Sequence, residues 1–270
     1  MTRTLKSLLA ATVLSGLSAP AHAGPFDIPQ EQQTTFIDVG TAYVGRAAYV
    51  GSRERDEDIF PYLAAEYKGR YFANAAQGVG VNLINRDGWT LAPIAYFAGG
   101  RDAEDTPFRL ANGTTLPAVE DALDLDSSIT VGGLVTYRLP LARLDAQMQV
   151  PVTGDVEGYR TDVSLTTRLP LGERIFIAPG LRASYFSDGW SNSYYGLNAA
   201  QAAAVGLPEY DAGAGFNSLG ALVLASFEIV EDYNIVGALN YSLLQGDAKD
   251  SPLSPENDAV TVILGVARRF

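Results

Sequence analysis

Cysteine is absent from all 270 residues, and histidine occurs once, at position 22. The first absence removes disulfides, thiolate nucleophiles, iron–sulfur clusters and cysteine-based zinc sites together. Basic residues are also scarce. Nineteen Lys and Arg stand against 31 Asp and Glu, for a net charge of −12. Nucleic-acid binding needs concentrated cations against phosphate, so no nucleic-acid partner is expected. No apolar run after the first two dozen residues is long enough for a membrane-spanning helix. Disorder is equally excluded, because 47% of the residues are hydrophobic and no low-complexity tract occurs.

Residues 1–23 read as a secretory signal peptide. Arg3 and Lys6 form a basic head, an apolar stretch runs from Leu8 to Leu17, and Ala21-His22-Ala23 is an A-x-A cleavage site. The apolar stretch is too short for a membrane anchor. Residues 24–34 are then expected to form a periplasmic N-terminal segment, and residues 35–270 the folded domain. Because His22 leaves with the signal, the exported chain is expected to lack both His and Cys. Histidine is the commonest general base at neutral pH and the commonest transition-metal ligand. Its absence argues against Ser-His-Asp hydrolysis and against His-bound zinc, copper or haem. No catalytic, cofactor-binding or metal-ligating residue stands out, and a non-enzymatic protein without cofactor is expected.

The remaining chain is built from segments of about ten residues with period 2. In one, Leu144, Ala146, Met148 and Val150 alternate with Arg143, Asp145, Gln147 and Gln149. In the next, Tyr159, Thr161, Val163, Leu165, Thr167 and Leu169 alternate with Arg160, Asp162, Ser164, Thr166 and Arg168. So polar a face has no place in a dry sandwich core. It suits the inside of a transmembrane antiparallel β-barrel whose apolar face meets lipid. By the same rule an arginine is expected to be damaging at Leu165 and milder at Ser164. Aromatics recur near segment ends, among them Tyr67, Trp89, Tyr137, Tyr159, Tyr185, Phe227, Tyr233 and Phe270, as in the interfacial girdles of barrels.

Candidate strands are 35–49, 58–67, 71–76, 78–85, 88–100, 127–138, 142–150, 158–169, 174–186, 215–228, 232–244 and 258–270. Their connections alternate between short and long. Lys68–Arg70, Arg86-Asp87, Leu139–Leu141, Pro170–Glu173 and Ile229–Glu231 are short turns, whereas 50–57, 101–126, 151–157, 187–214 and 245–257 are mostly longer. Short periplasmic turns opposite long external loops are the bacterial pattern. The count is twelve if 71–85 is a short hairpin broken near Gln77-Gly78, and ten otherwise.

Several residues fall outside that pattern. Arg143, Arg160, Arg168 and Arg182 face Asp145 and Asp162, which predicts a charge ladder bracing the lumen. Acids gather in the loops at Glu54, Asp56, Glu57 and Asp58, at Asp102, Glu104 and Asp105, and at Glu120, Asp121, Asp124 and Asp126. They lack EF-hand spacing and read as solvated loops more readily than as Ca²⁺ or Mg²⁺ sites. Asn198 can cap a short helix with Gln201 as its capping-box partner and Gly206 as its end.

Four stretches resemble one family in combination: Ala48–Ser52, Tyr194-Tyr195-Gly196-Leu197, Gly206–Gly215 and Leu244–Leu253. Together they are similar to the MipA/OmpV family, the MltA-interacting protein-like outer-membrane proteins, from about residue 35 to the C-terminus. The family more often carries Phe at Tyr195 and an aromatic at Arg268. The resemblance implies an outer-membrane β-barrel acting as a scaffold for murein-remodelling enzymes, a lytic transglycosylase and a murein synthase. It brings no catalytic residues. Outer-membrane lipid and lipopolysaccharide are the other expected partners. The rival reading is a narrow channel for small solutes.

Overall fold

Among the described residues fourteen strand segments form one ring, and two more pair as a separate hairpin in a loop. The computed structural model describes residues 35–47, 49–53, 55–74, 77–101, 108–113, 115–116, 123–167, 169–171 and 174–270. The expected signal peptide, the segment 24–34, Glu54, Asp102, Glu104, Asp105, Glu120, Asp121 and Arg168 lie outside these residues.

The wall begins with β1 (Phe36–Ala47), β2 (Arg55–Tyr67), β3 (Tyr71–Asn74), β4 (Gly78–Val81), β5 (Ile84–Arg86) and β6 (Trp89–Ala98). After a loop holding the small hairpin β7 (Phe108–Arg109) and β8 (Thr115–Leu116) come β9 (Ser128–Arg138), β10 (Ala142–Pro151), β11 (Arg160–Thr167), β12 (Leu169–Leu171) and β13 (Ile175–Phe186). The last strands are β14 (Gly215–Val230), β15 (Tyr233–Leu244) and β16 (Asp258–Arg269). Pairing runs β11-β10-β9-β6-β4-β3-β2-β1-β16-β15-β14-β13, and β13 pairs back onto β11. The result is a closed antiparallel barrel of 12 strands.

Two of the wall strands are interrupted. β11 and β12 share one register on β13, with Thr166 opposite Gly180 and Leu169 opposite Ile177. They are one strand. β4 and β5 likewise lie on β6, but the register slips by one residue between Gly80↔Ile94 and Ile84↔Leu91. Pro93 stands beside the slip. A proline supplies no N–H to a ladder, so an interruption there is the expected solution. The 71–85 region is therefore the hairpin of the twelve-strand reading, with Asn74 opposite Gly78. Gly80 belongs in it because a Cβ there would fall 2.2 Å from the Phe72 ring.

Five turns are short and lie at one end with both strand termini of the ring. Their bounds shift slightly from the sequence reading. The turn after β5 is Asp87-Gly88, both at positive φ (53° and 80°), as a two-residue type I′ hairpin requires. β14 runs on to Val230 and β12 to Leu171, so those turns start later than expected. The opposite end carries the long loops, which among the described residues hold three helices: α1 (Asp188–Tyr195), α2 (Ala199–Val205) and α3 (Gly246–Asp250).

The alternation translates directly into faces. Leu144, Met148, Val163, Leu165, Leu181, Leu239, Leu264 and Val266 are exposed on the outer wall. Asp145, Gln147, Gln149, Asp162, Ser164, Thr166 and Arg182 are buried inside. The lumen is packed and has two sides. Ala42, Val44, Phe60, Ala178, Leu222, Leu224 and Ile263 form an apolar side on β1, β2, β13, β14 and β16. The polar residues line β9 to β13.

This packing corrects one expectation. Ser164 does face polar neighbours, but it is only 1% exposed, so an arginine there has no room and is not mild. The informative pair is Leu165→Arg and Ser164→Ala. A cation on the lipid face costs about 2–4 kcal/mol near the midplane. Removing the Ser164 hydroxyl, whose Oγ has no hydrogen-bond partner, costs almost nothing. Heat-modifiable migration and urea unfolding in lipid should show Leu165→Arg impaired and Ser164→Ala close to wild type.

Candidate functional site

Two polar assemblies distinguish this barrel from a bare wall: an ionic stripe in the lumen and a folded cap over the long-loop end. The stripe follows from register. Asp145 lies opposite Ser164, and Ser164 opposite Arg182; Gln147 lies opposite Asp162, and Asp162 opposite Ser184. These inward positions bring Arg143 to Asp145 at 2.6 Å and Arg160 and Arg182 to Asp162 at 2.7 Å each. Thr136 donates to Asp145 Oδ1 and Ser184 to Asp162 Oδ1, both at 2.5 Å. The expected ladder thus exists over Arg143, Arg160, Arg182, Asp145 and Asp162. A second pair was not anticipated. Arg269 grips Asp38 with two hydrogen bonds of 2.8 Å, tying the last strand to the first across 231 positions. Arg268 points outward at the rim, over the rings of Tyr233 and Phe270 at 5.4 and 4.7 Å.

The cap is made from the loops after β6, β13 and β15. Ser187 caps α1 by accepting from the Trp190 amide. α2 has the capping box expected for Asn198 and Gln201, and Gly206 ends it at φ 70°. Trp190, Tyr195, Phe186 and Leu244 pack as one buried cluster. Leu110, Leu123, Leu197, Val205 and Leu253 form a second. Buried Arg101 bonds the carbonyls of Leu123 (2.8 Å) and Tyr194 (2.6 Å) and lies over the Tyr49 ring. Burial lowers the Arg101 guanidinium from its ordinary value, while the neighbouring tyrosines and Asp124 raise it in part. Burial also pushes the Tyr194 and Tyr195 hydroxyls up, so both stay neutral.

The four stretches singled out in the sequence meet in this cap. Tyr49 donates to the Leu253 carbonyl (2.6 Å), Ser251 to the Tyr195 carbonyl (2.7 Å) and Tyr210 to the Asp247 carbonyl (2.7 Å). Leu197 and Tyr210 form a backbone bridge. Asp188 and Asp247 accept from the amides of Ala214 and Gly213. Their spacing serves loop architecture. Of the acids expected in loops, Asp56, Glu57 and Asp58 lie in β2, which starts earlier than expected, and Asp56 pairs with Arg46 at 3.7 Å; in the loops Asp155 accepts from the Asp126 amide. No group of three or more metal-ligating side chains occurs among the described residues.

The arrangement can brace a barrel and seal one mouth. Asp162 is the point where it is most vulnerable. Asp162→Ala would leave Arg160 and Arg182 buried without their shared counter-charge, a loss of about 3–5 kcal/mol for a buried pair. Asp162→Ala should therefore lower the thermal transition of the reconstituted barrel strongly. Arg101→Ala should leave the barrel transition unchanged and speed proteolysis within residues 187–214.

Comparison with known proteins agrees with this geometry. The family model described as MltA-interacting protein MipA matches residues 39–270. The MltA-interacting protein of Escherichia coli K12 is 21% identical over 222 residues, 81% of this chain and 84% of the relative. The putative outer membrane protein YiaT of the same strain is 26% identical over 149 residues, 55% of this chain. That match spans only 60% of the length of YiaT. Among solved structures, the translocator domain of autotransporter NalP from Neisseria meningitidis aligns with a TM-score of 0.46 at 12% identity, covering 99% and 95% of the two chains. The chain belongs to the MltA-interacting protein MipA family, and it is an outer-membrane β-barrel.

Proposed function

We propose that the protein is a non-enzymatic scaffold of the envelope, exported by its cleaved N-terminal signal and inserted with its short turns in the periplasm. The carrying observation is the lumen. Its inward side chains are buried along β9, β10, β11 and β13, ion-paired to one another and covered by a folded cap. A continuous wet path would leave such residues exposed, so the narrow-channel reading loses support. Function then belongs to the two rims and the lipid-facing wall.

The rims differ in charge. Among the described residues, exposed Lys68, Arg70, Arg86, Arg174 and Arg268 outnumber exposed Asp87, Glu231 and Asp232 at the turn end. The long-loop end exposes Asp155, Glu157, Asp188, Asp211, Asp247, Asp250 and Asp258. A basic periplasmic rim fits an anionic partner surface. One relative's name states that it interacts with MltA, and the partner class that the family description suggests for this chain is a murein-remodelling enzyme of the lytic transglycosylase or murein synthase kind. Five short turns offer less than the roughly 800 Å² per partner of a stable interface. Binding is therefore weak or shared among several components, with residues 24–34 as an added contact. Outer-membrane lipid and lipopolysaccharide surround the wall.

Topology comes first in testing this. Asp250→Cys in α3 should react with an impermeant maleimide in intact cells, and Leu141→Cys in the turn after β9 should react only after permeabilisation. The reverse pattern inverts the orientation. Whole-cell cross-linking from the turn end, read by mass spectrometry, should recover peptidoglycan enzymes. Recovery of none, with a reproducible single-channel conductance from purified protein, would replace the scaffold by the channel.

A further inference from the structure

Among the described residues the wall has a stretch that no ladder closes. β3 pairs with β2 only from Tyr67↔Tyr71 to Ala64↔Asn74, and β4 meets β6 only at Val79↔Ala95 and Gly80↔Ile94. The hairpin therefore stops partway up. Above it, Arg55–Leu63 of β2 pair with β1 alone, and Tyr96–Ala98 of β6 with β9 alone. No strand among the described residues joins these two edges.

The chemistry of the free edge is specific. The Phe60 carbonyl accepts from the Thr41 hydroxyl, so it faces β1. Strand backbones alternate, which turns the carbonyls of Ile59 and Pro61 toward the seam. The Ile59 and Leu63 amides face the same way, but Pro61 has no N–H, so the edge has one more acceptor than it has donors and is interrupted for pairing with another strand. Ile59 is 76% and Leu63 52% exposed on the outer wall. Taking the girdle residue Tyr67 as the turn-side boundary, a strand rising about 3.3 Å per residue at a tilt of about 40° places Ile59 about 20 Å higher, within the roughly 25 Å apolar band. Arg55, exposed at the head of the same strand, then lies at headgroup height. Glu57 lies between them, diagonal to the outward Tyr43 of β1.

We propose that this seam binds an outer-leaflet lipid: an acyl chain along Ile59 and Leu63, hydroxyl or amide donors on the Ile59 and Pro61 carbonyls, and an anionic headgroup near Arg55. Backbone polar groups facing hydrocarbon must find partners. A diacyl phospholipid has only ester acceptors at that depth, whereas the amide-linked hydroxyacyl chains of the lipopolysaccharide lipid carry donors. The occupant assigned is therefore lipopolysaccharide. This rests on the orientation proposed above and not on the identity of any enzyme partner.

A photo-reactive benzophenone amino acid placed at Ile59, and separately at Leu219 on the opposite wall, tests it in whole cells. Leu219 is exposed and lies eight residues above girdle Phe227, as Ile59 lies above Tyr67. Adducts are read with antibody to lipopolysaccharide on gels that also report heat-modifiable folding, and Leu63 serves as the second seam position should the Ile59 variant not fold. The seam should give about fivefold more adduct than Leu219, as preferential occupancy requires. Equal yields at seam and wall overturn the site. An adduct of twice the chain mass overturns it in favour of a second copy. No adduct at either position overturns the orientation, and the maleimide labelling separates that failure from the others.

Discussion

Hydrocarbon offers no hydrogen bonds, and every other feature of this protein follows from that. A strand crossing the membrane must pair on both sides, so the sheet has to close on itself. Closure here joins β1 to β16 over eight residue pairs, from Asp38↔Arg269 to Gly45↔Val262. The Asp38–Arg269 bonds fasten that junction at the turn end, where the chain's two barrel termini meet. Outside the band, the outward cations turn into water over Tyr67, Tyr71 and Tyr233, so that apolar wall and charged rim are separated by a ring of aromatics.

Closure also dictates the lumen. A period-2 strand has an inner face whether or not the protein has a use for it. In this chain that face is filled. Asp145 and Asp162 neutralise arginines from their own or adjacent strands. Desolvation makes such pairs poor sources of stability. Their contribution is register instead: a one-residue slip of β11 would carry Asp162 to the lipid face and Val163 inward.

Much of this was legible in the sequence because period 2 is read locally. All twelve wall strands were visible, including the short hairpin, which Gln77-Gly78 betrayed. The capping box of α2 is equally local. What escaped depends on distance or on tertiary context. Asp38 and Arg269 are too far apart in sequence for any window to join. α1 contains Gly189 and lacks a clear apolar stripe, so only its packing through Trp190 and Tyr195 makes it helical. The strand pair β7–β8 inside a long loop gave no alternation to read. The burial of Ser164 was missed because alternation tells which way a side chain points, not how much space it meets. The seam was invisible for a related reason. A turn at Gln77 is local, but its height in the wall depends on the register of β2 with β3.

The two sides of the lumen meet different stretches of wall. The ionic stripe lies along β9 to β13, where each strand is laddered to its neighbours over most of its length. Behind the lower part of the seam the inward residues are Phe60 and half-buried Tyr62 on β2 and buried Tyr96 on β6, largely apolar; above them Asp58 and Asp56 turn inward, Asp56 paired with Arg46. A charge at the depth of Phe60 and Tyr96 would face hydrocarbon through a wall without a backbone ladder. Gln77, at the hairpin tip, is a buried polar neighbour of this patch. It is fully buried and tied to Asn74, whose Oδ1 accepts from the Gln77 amide at 2.8 Å and whose Nδ2 donates to Gln77 Oε1 at 3.3 Å. Apolar side chains thus back the lower part of the interrupted stretch, and charge appears only above it, where Asp56 meets Arg46 near the long-loop end. A barrel arranged this way tolerates an incomplete strand pair at the depth of Phe60 and Tyr96 because the interior there is nearly as apolar as the lipid in front of it.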